Sequence, residues 1–320
     1  MTSPAPRNPL RLGTRRSPLA MAQAEECAAR LCAAHGWSKD AVELVPVTAS
    51  GDKIQDRPLA EIGGKALWTK ELDAWLLGGE IDFAVHSAKD VETIRPDGIT
   101  IAAILPREDT ADVLVGAASI AALPQGARIG TSAPRRAAQL LHARPDCVVV
   151  PYRGNVATRL AKLAAGEAEA TLLAAAGLNR LGETGTGHRL DPEEWLPAPA
   201  QGAIAVECRS VLRRAQDDRD FQVRAFLAAI DHVPSHTAVL AERALLAALG
   251  GNCHSPIAAL TRIEGNDLVL RAALFSPDGA QRVEATLRFA ANDATGPARL
   301  AAELLARAVP AIADHFSGPA

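Results

Sequence analysis

The strongest constraint on this fold is an alternation of strand and helix patterns that occurs twice along the chain. In its first occurrence, the strand-like runs LRLGTR, VELVPVT and IDFAVHS are separated by two helix-like runs. The first helix is predicted to begin with the N-cap Ser17 and with Pro18 and to end near Gly36, and the second is TKELDAWLLGG. A β-α-β-α-β series of this kind predicts a mostly parallel sheet with ligand groups in the loops after its strands.

The alternation resumes with the strands ARIGTS, CVVVPYRG and EATLLAA and the helices APRRAAQLLHA, NVATRLAKLAAG and AGLNRLG. A Gly/Pro-rich stretch then precedes AIAVECR, a strand that we expect to return to the first α/β unit. Three further strands, PIAALTRI, DLVLRAALF and QRVEATLRF, are joined by turns and predict an antiparallel sheet. The sequence thus predicts α/β domain 1 at 1–104 and 201–220, α/β domain 2 at 105–200 and α+β domain 3 at 221–320.

Charge and apolar patterning argue against several classes of protein. The net charge of −3 is spread along the chain, which disfavours a polybasic nucleic-acid surface. The N-terminal stretch MTSPAPRNPLRLG lacks the apolar region of a signal peptide, and no uninterrupted apolar run reaches the roughly eighteen residues of a membrane span. A cytoplasmic protein is therefore expected.

The five cysteines are odd in number and include no CxxC pair, so neither a metal site nor a disulfide framework is predicted. Four of them lie in helix-like or strand-like runs, where a thiol packs as a small apolar side chain: Cys27, Cys32, Cys147 and Cys208. Cys253 differs because LGGNCHSPI places it in a loop of small residues after a helix-like run. Two interpretations stay open for it: a helix-ending turn that contains a cysteine by chance, and a reactive thiol.

VHSAKDVE places His86, Ser87, Lys89 and Asp90 directly after a strand, where side chains leave the sheet and face a cleft. One interpretation of Asp90 is a solvated turn whose pairing with a lysine contributes little. The other is an acid that binds a substrate N–H or stabilises a developing cation. Spacing alone does not choose between them.

Arginines recur where strands pass into helices, although a solvated helix face would normally mix its charges. They are Arg15, Arg16, Arg135, Arg136, Arg153, Arg159 and Arg180. A planar guanidinium at such a position indicates capture of carboxylate or phosphate, and helix N-termini add N–H donors. Because neither GxGxxG nor GxxxxGK[ST] occurs, nucleotides are disfavoured, and the predicted ligand is a polyanion of another kind.

LAEIGGKALWTKEL places Gly63, Gly64, Lys65 and Trp68 before a helix. A mobile loop here would let Lys65 and Trp68 cover an anionic aromatic ligand by charge and stacking. The alternative is a helix-initiating loop with Trp68 packed inward, and the segment by itself favours this second interpretation.

Six motifs in order, VHSAKDV, GTSAPRRAAQL, RGNVATRLAKL, AAAGLNRL, LPAPAQGAIAVECR and AERALLAALGGNCHSPI, resemble those of porphobilinogen deaminases, also called hydroxymethylbilane synthases. The resemblance covers roughly residues 10 to 315. It implies two periplasmic-binding-protein-like α/β domains with mixed, mostly parallel sheets and a C-terminal α+β domain with a three-stranded antiparallel sheet. It also implies a transferase of porphyrin biosynthesis that joins four porphobilinogen molecules head to tail, releases ammonia at each addition and hydrolyses the product to hydroxymethylbilane.

The resemblance implies roles for individual residues. Cys253 would carry a dipyrromethane cofactor through a thioether, and Asp90 would be the catalytic acid. The implied cofactor- and substrate-binding residues are Arg15, Lys65, Trp68, Ser87, Lys89, Thr131, Ser132, Arg135, Arg136, Arg153, Gly154, Asn155, Arg159 and Arg180. Arg16 matches no binding arginine of the family and is expected at the surface. The resemblance implies no metal, nucleic acid or membrane as a partner. It implies a monomer that hands its product to uroporphyrinogen III synthase.

One departure concerns the turn itself, where Gly251-Asn252-Cys253 replaces the family's Gly-Gly-Cys. Asparagine tolerates left-handed backbone better than most residues, so the turn is expected to survive. Two rival classes stay open: a non-catalytic two-domain solute binder, and a hydrolase with Cys253 as nucleophile and His254 or His236 as base.

Overall fold

The computed structural model describes residues 4–47, 69–210 and 218–316, and the chain forms two compact units. Unit 1 comprises Met1–Arg107 and Ala203–His236, and unit 2 comprises Glu108–Gly202 and Thr237–Ala320. The division of the chain into three domains stays a prediction.

Unit 1 contains one five-stranded sheet in the order β2-β1-β3-β10-β4. Its strands are β1 (Leu10–Arg15), β2 (Val42–Val47), β3 (Phe83–Ser87), β4 (Ile99–Ile104) and β10 (Ile204–Arg209). Strand β1 pairs in parallel with β2 and β3, whereas β10 pairs antiparallel with β3 and β4. The AIAVECR strand therefore lies in the first sheet, where its position after the Gly/Pro-rich stretch led us to expect it.

Helices cover both faces of this sheet. They are α1 (Pro18–His35), α2 (Lys70–Gly78) and α6 (Asp218–Leu227). The next helix, α7 (Val233–Ala248), contains the point at which the chain passes from unit 1 to unit 2. Ser17 caps α1 by accepting from the Ala20 N–H at 3.4 Å, and Gly36 ends it with a φ of 69°, so both predicted ends are confirmed. Cys27 and Leu31 of α1 pack with Phe83 and Val85 in one apolar core.

Unit 2 contains a second five-stranded sheet in the order β7-β6-β8-β5-β9. Its elements are β5 (Asp112–Val115), β6 (Arg128–Gly130), α3 (Pro134–Ala143), β7 (Val148–Val150), α4 (Val156–Ala164), β8 (Ala170–Ala174), α5 (Ala175–Arg180) and β9 (His188–Arg189). Strand β6 pairs in parallel with β7 and β8, and β5 pairs antiparallel with β8 and β9. The predicted mixed sheets are confirmed, and half of the described pairings in each sheet are parallel.

The C-terminal part of unit 2 is a three-stranded antiparallel sheet with helices, as predicted. It consists of β11 (Ile257–Glu264), β12 (Asp267–Phe275), β13 (Arg282–Ala290), α8 (Gly296–Arg307) and α9 (Pro310–Ala313). One of its buried clusters includes Ala138 of α3 and Leu196 together with Ala258, Ala273 and Phe275 of the antiparallel sheet. This shared apolar contact explains why the two sheets belong to one compact unit.

Within the described ranges, no helix combines the length and the apolar character that crossing a membrane requires.

Candidate functional site

Asp90 lies on a short turn at the end of a central strand of unit 1. Strand β3 ends at Ser87, and a 3-10 turn over Ala88–Asp90 follows. The Ala88 N–H donates to the Ala203 carbonyl at 3.0 Å, which fixes the start of the turn to the neighbouring strand segment. Asp90 itself is exposed, so its carboxylate is accessible to a ligand.

A pocket of unit 1 brings together three of the predicted site residues, Arg15, Ser87 and Asp90. The other residues that line it are Ser17, Leu19, Ala20, Gln23, Thr69, Val85 and His86. Arg15 is half-buried at the end of β1, whereas the adjacent Arg16 is exposed, as expected for a surface residue. The pocket thus combines a guanidinium and a carboxylate, which suits a ligand that carries carboxylates and an N–H or cationic group.

Gln23 is a pocket residue that the sequence did not single out. Its side chain is buried in α1 and exchanges two hydrogen bonds with the hydroxyl of Ser87, at 2.9 and 3.2 Å. It precedes Cys27 by one helical turn and so lies on the apolar face of α1. The sequence does carry a signal for Gln23, because it is a polar residue on an apolar helix face. A buried amide in such a position needs hydrogen-bond partners.

Below the pocket, a network of buried charges connects three elements of unit 1. Arg95 donates to both carboxylate oxygens of Glu207, at 2.8 and 2.9 Å, and to Asp73 of α2 at 2.5 Å. The Nε2 atom of His86 lies 3.4 Å from Glu207 Oε2. Burial lowers the pKa of His86 to about 4, and the positive charge of Arg95 acts in the same direction. The imidazole in the pocket wall is therefore neutral at neutral pH.

In unit 2, Arg135 and Arg136 at the start of α3 are buried around one carboxylate. Arg135 donates to Asp112 Oδ2 at 2.5 Å and Arg136 to Asp112 Oδ1 at 2.6 Å. Trp195 Nε1 and Gln201 Nε2 donate to the same carboxylate, at 3.0 and 2.9 Å. Burial alone would raise the pKa of Asp112, but the two arginines hold it well below its usual range. The cluster therefore keeps its ion pairs throughout the neutral pH range.

Replacing Asp112 by asparagine is expected to destabilise unit 2 by about 3–5 kcal/mol, because two buried guanidinium groups lose their counter-charge. Chemical denaturation of both proteins measures this difference. Glu169→Gln is the matched control, since it breaks an exposed pair with Arg128 and is expected to leave the unfolding midpoint nearly unchanged. Equal midpoints for Asp112→Asn and the wild-type chain would contradict this account of the cluster.

Four predicted residues lie together at the N-terminal turn of α4. Asn155 caps the helix by accepting from the Thr158 N–H at 2.9 Å, and Arg159 Nε donates to the Gly154 carbonyl at 3.0 Å. Gly154 has a φ of 101°, and a Cβ there would lie 2.7 Å from the Thr158 side chain, so glycine is required. Arg153 precedes them and is half-buried. This turn presents guanidinium groups beside a helix N-terminus, an arrangement suited to anions.

The remaining predicted polar residues are distributed over other loops. Thr131 is buried and accepts from the Ala133 N–H at 3.2 Å, whereas Ser132 is exposed. Arg180 at the end of α5 donates to the Gly202 carbonyl at 3.1 Å. Lys89 is half-buried beside Asp90 on its turn. Lys65 and Trp68 lie outside the described residues, so their predicted roles stay predictions.

Cys253 lies on an exposed turn that its neighbours hold by hydrogen bonds. The Asn252 side-chain oxygen accepts from the His254 N–H at 2.8 Å, and the Asn252 N–H donates to the Ser255 hydroxyl at 3.0 Å. Gly250, with a φ of 66°, supplies the left-handed residue after α7, so Asn252 does not need that conformation. Asparagine therefore preserves the turn through its side chain and not through a left-handed backbone.

All five cysteines are described, and Cys253 is the only exposed one. The other four are buried, as expected for packed thiols, and burial raises the pKa of each: Cys27, Cys32, Cys147 and Cys208. For Cys208 the pKa rises to about 11. A reaction that needs an accessible thiolate therefore selects Cys253.

The described residues contain no group of three or more His, Cys, Asp or Glu side chains placed to bind a metal ion.

Comparison with known proteins gives two family matches that cover most of the chain. The porphobilinogen deaminase, dipyromethane cofactor binding domain model matches residues 10–217, and the porphobilinogen deaminase, C-terminal domain model matches residues 236–306. A porphobilinogen deaminase of Sphingopyxis alaskensis is 56% identical over 98% of both chains, and one of Paracoccus denitrificans is 50% identical over 98% of both chains. Among solved structures, the VFT2 domain of Bordetella pertussis BvgS is 15% identical, with a TM-score of 0.40 over 70% of this chain and 85% of that chain.

Proposed function

The chain belongs to the porphobilinogen deaminase family, and we propose that Cys253 and Asp90 carry out the chemistry of that family. That chemistry is the head-to-tail condensation of four porphobilinogen molecules with release of ammonia, followed by hydrolysis to hydroxymethylbilane, in tetrapyrrole biosynthesis. Family membership leaves the solute binder and the cysteine hydrolase without support.

The observation that carries the assignment of Cys253 is that it alone among the five thiols is exposed. A thioether replaces the S–H bond by an S–C bond, which requires a thiolate that an electrophilic carbon can approach. The exposed turn after α7 meets that requirement, and the four buried thiols do not. When bound, the dipyrromethane would supply the pyrrole carbon to which the first substrate is joined.

Asp90 is proposed as the group that stabilises positive charge on the substrate. When the C–N bond of porphobilinogen breaks, its electron pair leaves with ammonia, and the pyrrole ring retains a cation shared with its N–H. A fixed carboxylate that accepts a hydrogen bond from this N–H stabilises the cation as it forms. Asp90 is exposed in a pocket with Arg15 and Ser87, which supports this role.

The acetate and propionate of each pyrrole ring are the proposed ligands of the cationic groups. In unit 1 the cationic groups are Arg15 and Lys89, with Ser87 beside them. In unit 2 they are Arg153, Arg159 and Arg180, together with backbone and side-chain donors of Thr131, Ser132, Gly154 and Asn155. For Arg135 and Arg136, carboxylate binding stays a prediction, because Asp112 already accepts hydrogen bonds from both.

Replacing Arg15 by glutamine is expected to lower kcat/KM for porphobilinogen about 10- to 100-fold, the loss typical of a charge-assisted hydrogen bond. Steady-state kinetics measure the change. Arg16→Gln is the matched control: its side chain is exposed on the next residue, and kinetics close to wild type are expected. Equal effects of the two substitutions would argue against a binding role for Arg15.

The proposed function is tested by incubating the purified chain with porphobilinogen. One ammonia is expected for each porphobilinogen consumed, and four porphobilinogen for each tetrapyrrole formed. A chain that binds porphobilinogen without consuming it would contradict the assignment.

We further propose that the enzyme is a cytoplasmic monomer that hands its product to uroporphyrinogen III synthase. Light scattering after size-exclusion chromatography is expected to give a mass near 33.5 kDa plus cofactor. A dimeric mass would contradict the monomer.

A further inference from the structure

The segment that carries Asp90 lies between strand β3 and an arginine that a buried carboxylate of β10 binds. His86, four residues before Asp90, has Nε2 3.4 Å from Glu207 Oε2. Arg95, five residues after Asp90, donates from Nε and Nη2 to Glu207 at 2.8 and 2.9 Å. We propose that Glu207 is a positioning residue for Asp90, acting through Arg95. This inference rests on the proposed role of Asp90.

The strand register explains why Glu207 lies near His86, the residue before the end of β3. Strand β10 pairs with β3 so that Ala205 lies opposite His86 and Glu207 lies opposite Ala84. Residues two apart on a strand share a face, so Glu207 and His86 are diagonal neighbours on one side of the sheet. The β4–β10 register shifts between Val206 and Glu207, and such irregularities change the direction of nearby side chains.

Arg95 extends the connection to a helix. Its Nη2 atom donates to Asp73 of α2 at 2.5 Å as well as to Glu207. The residues after the Asp90 turn are thereby tied to a strand and to a helix that pack in the interior of unit 1. A single guanidinium thus anchors the far end of the segment, and a planar fork does so in one fixed geometry.

Burial makes this anchor rigid. Glu207 is 0% exposed, so its charge has no access to water, and the guanidinium of Arg95 compensates it. The turn over Ala88–Asp90, in contrast, ends in an exposed carboxylate. Stabilising a cation requires that carboxylate within a fraction of an ångström of its working position. The pairing of β3 with β10 fixes the residues before the exposed turn, and the contact of Arg95 with Glu207 fixes the residues after it.

Glu207→Gln tests the proposal because it keeps the size of the side chain and removes its charge. Weaker anchoring of Arg95 is expected to lower kcat about tenfold or more while KM changes by less than about twofold, since Asp90 acts mainly in the transition state. Intact mass is expected to show unchanged cofactor content. Arg95→Lys, which retains a charge but loses the two-pronged contact, is expected to lower kcat in the same way.

Asp82→Asn is the matched control. Asp82 is also a buried carboxylate of unit 1 bound by two arginines, Arg11 and Arg219, but it lies just before β3, at the strand end opposite Asp90. The Asp82→Asn substitution is expected to lower thermal stability as Glu207→Gln does and to leave kcat within about twofold of wild type.

Equal losses of kcat in Glu207→Gln and Asp82→Asn would overturn the proposal, because they would show a general effect of stability. Wild-type kcat in Glu207→Gln would overturn it as well. If Glu207→Gln does not fold, Arg95→Lys decides: wild-type kcat in that variant overturns the proposal, and a selective loss of kcat supports it. Full activity of Asp90→Ala would instead refute the underlying function, so the two failures are distinguishable.

Discussion

Replacing Cys253 by serine is expected to give a folded protein that carries no cofactor and has no measurable turnover. Folding should be unaffected because the side chain is exposed and contributes no core packing. Attachment should fail because an unactivated hydroxyl is a far weaker nucleophile than a thiolate. Thermal denaturation, intact mass and porphobilinogen consumption measure the three expectations.

His254→Ala is the matched control for this variant, because it changes the next exposed residue of the same turn. A cofactor-bearing, active protein is expected, whereas a hydrolase that uses His254 as a base would be inactivated. Turnover by Cys253→Ser at the wild-type rate would contradict the assignment of the thiol.

Replacing Asp90 by alanine is expected to leave the cofactor attached and to lower turnover by about 100- to 1000-fold, the loss typical of removing one preorganised electrostatic stabiliser. Stability should change little because Asp90 is exposed on its turn. Steady-state kinetics and intact mass together separate loss of chemistry from loss of cofactor.

Asp97→Ala is the matched control, because Asp97 is a second exposed carboxylate shortly after the same turn and lies outside the pocket. Turnover close to wild type is expected. A similar loss in both variants, or none in Asp90→Ala, would contradict the role given to Asp90.

The fold was largely predictable because its local patterns agree with its tertiary contacts. The cap at Ser17, the left-handed Gly36 and the three strands that form the antiparallel sheet are all signals carried by neighbouring residues. The fraction of strand pairs that are parallel was less predictable. It depends on β10 and β5, which insert antiparallel into their sheets, and a strand's partner is set by contacts distant in sequence.

The candidate site shows the same division between local and distant information. The turns that carry Asp90 and Cys253 follow from strand-end and helix-end patterns and from the family motifs. The burial of Arg135 and Arg136 did not follow, because their counter-charge Asp112 lies on another strand. In the sequence, Glu207 is likewise only one polar position in an apolar strand. The pairing of β10 with β3 is what brings it to the Asp90 segment.

Cys253 is proposed to be permanently alkylated by a dipyrromethane whose acidic groups the arginines bind. The most direct test is the intact mass of the freshly purified wild-type chain beside that of Cys253→Ser. The wild-type protein is expected to be heavier than its polypeptide by two pyrrole rings with their side chains, and the variant is expected to have the mass of the polypeptide alone. A fully active wild-type protein with the mass of the bare polypeptide would contradict it.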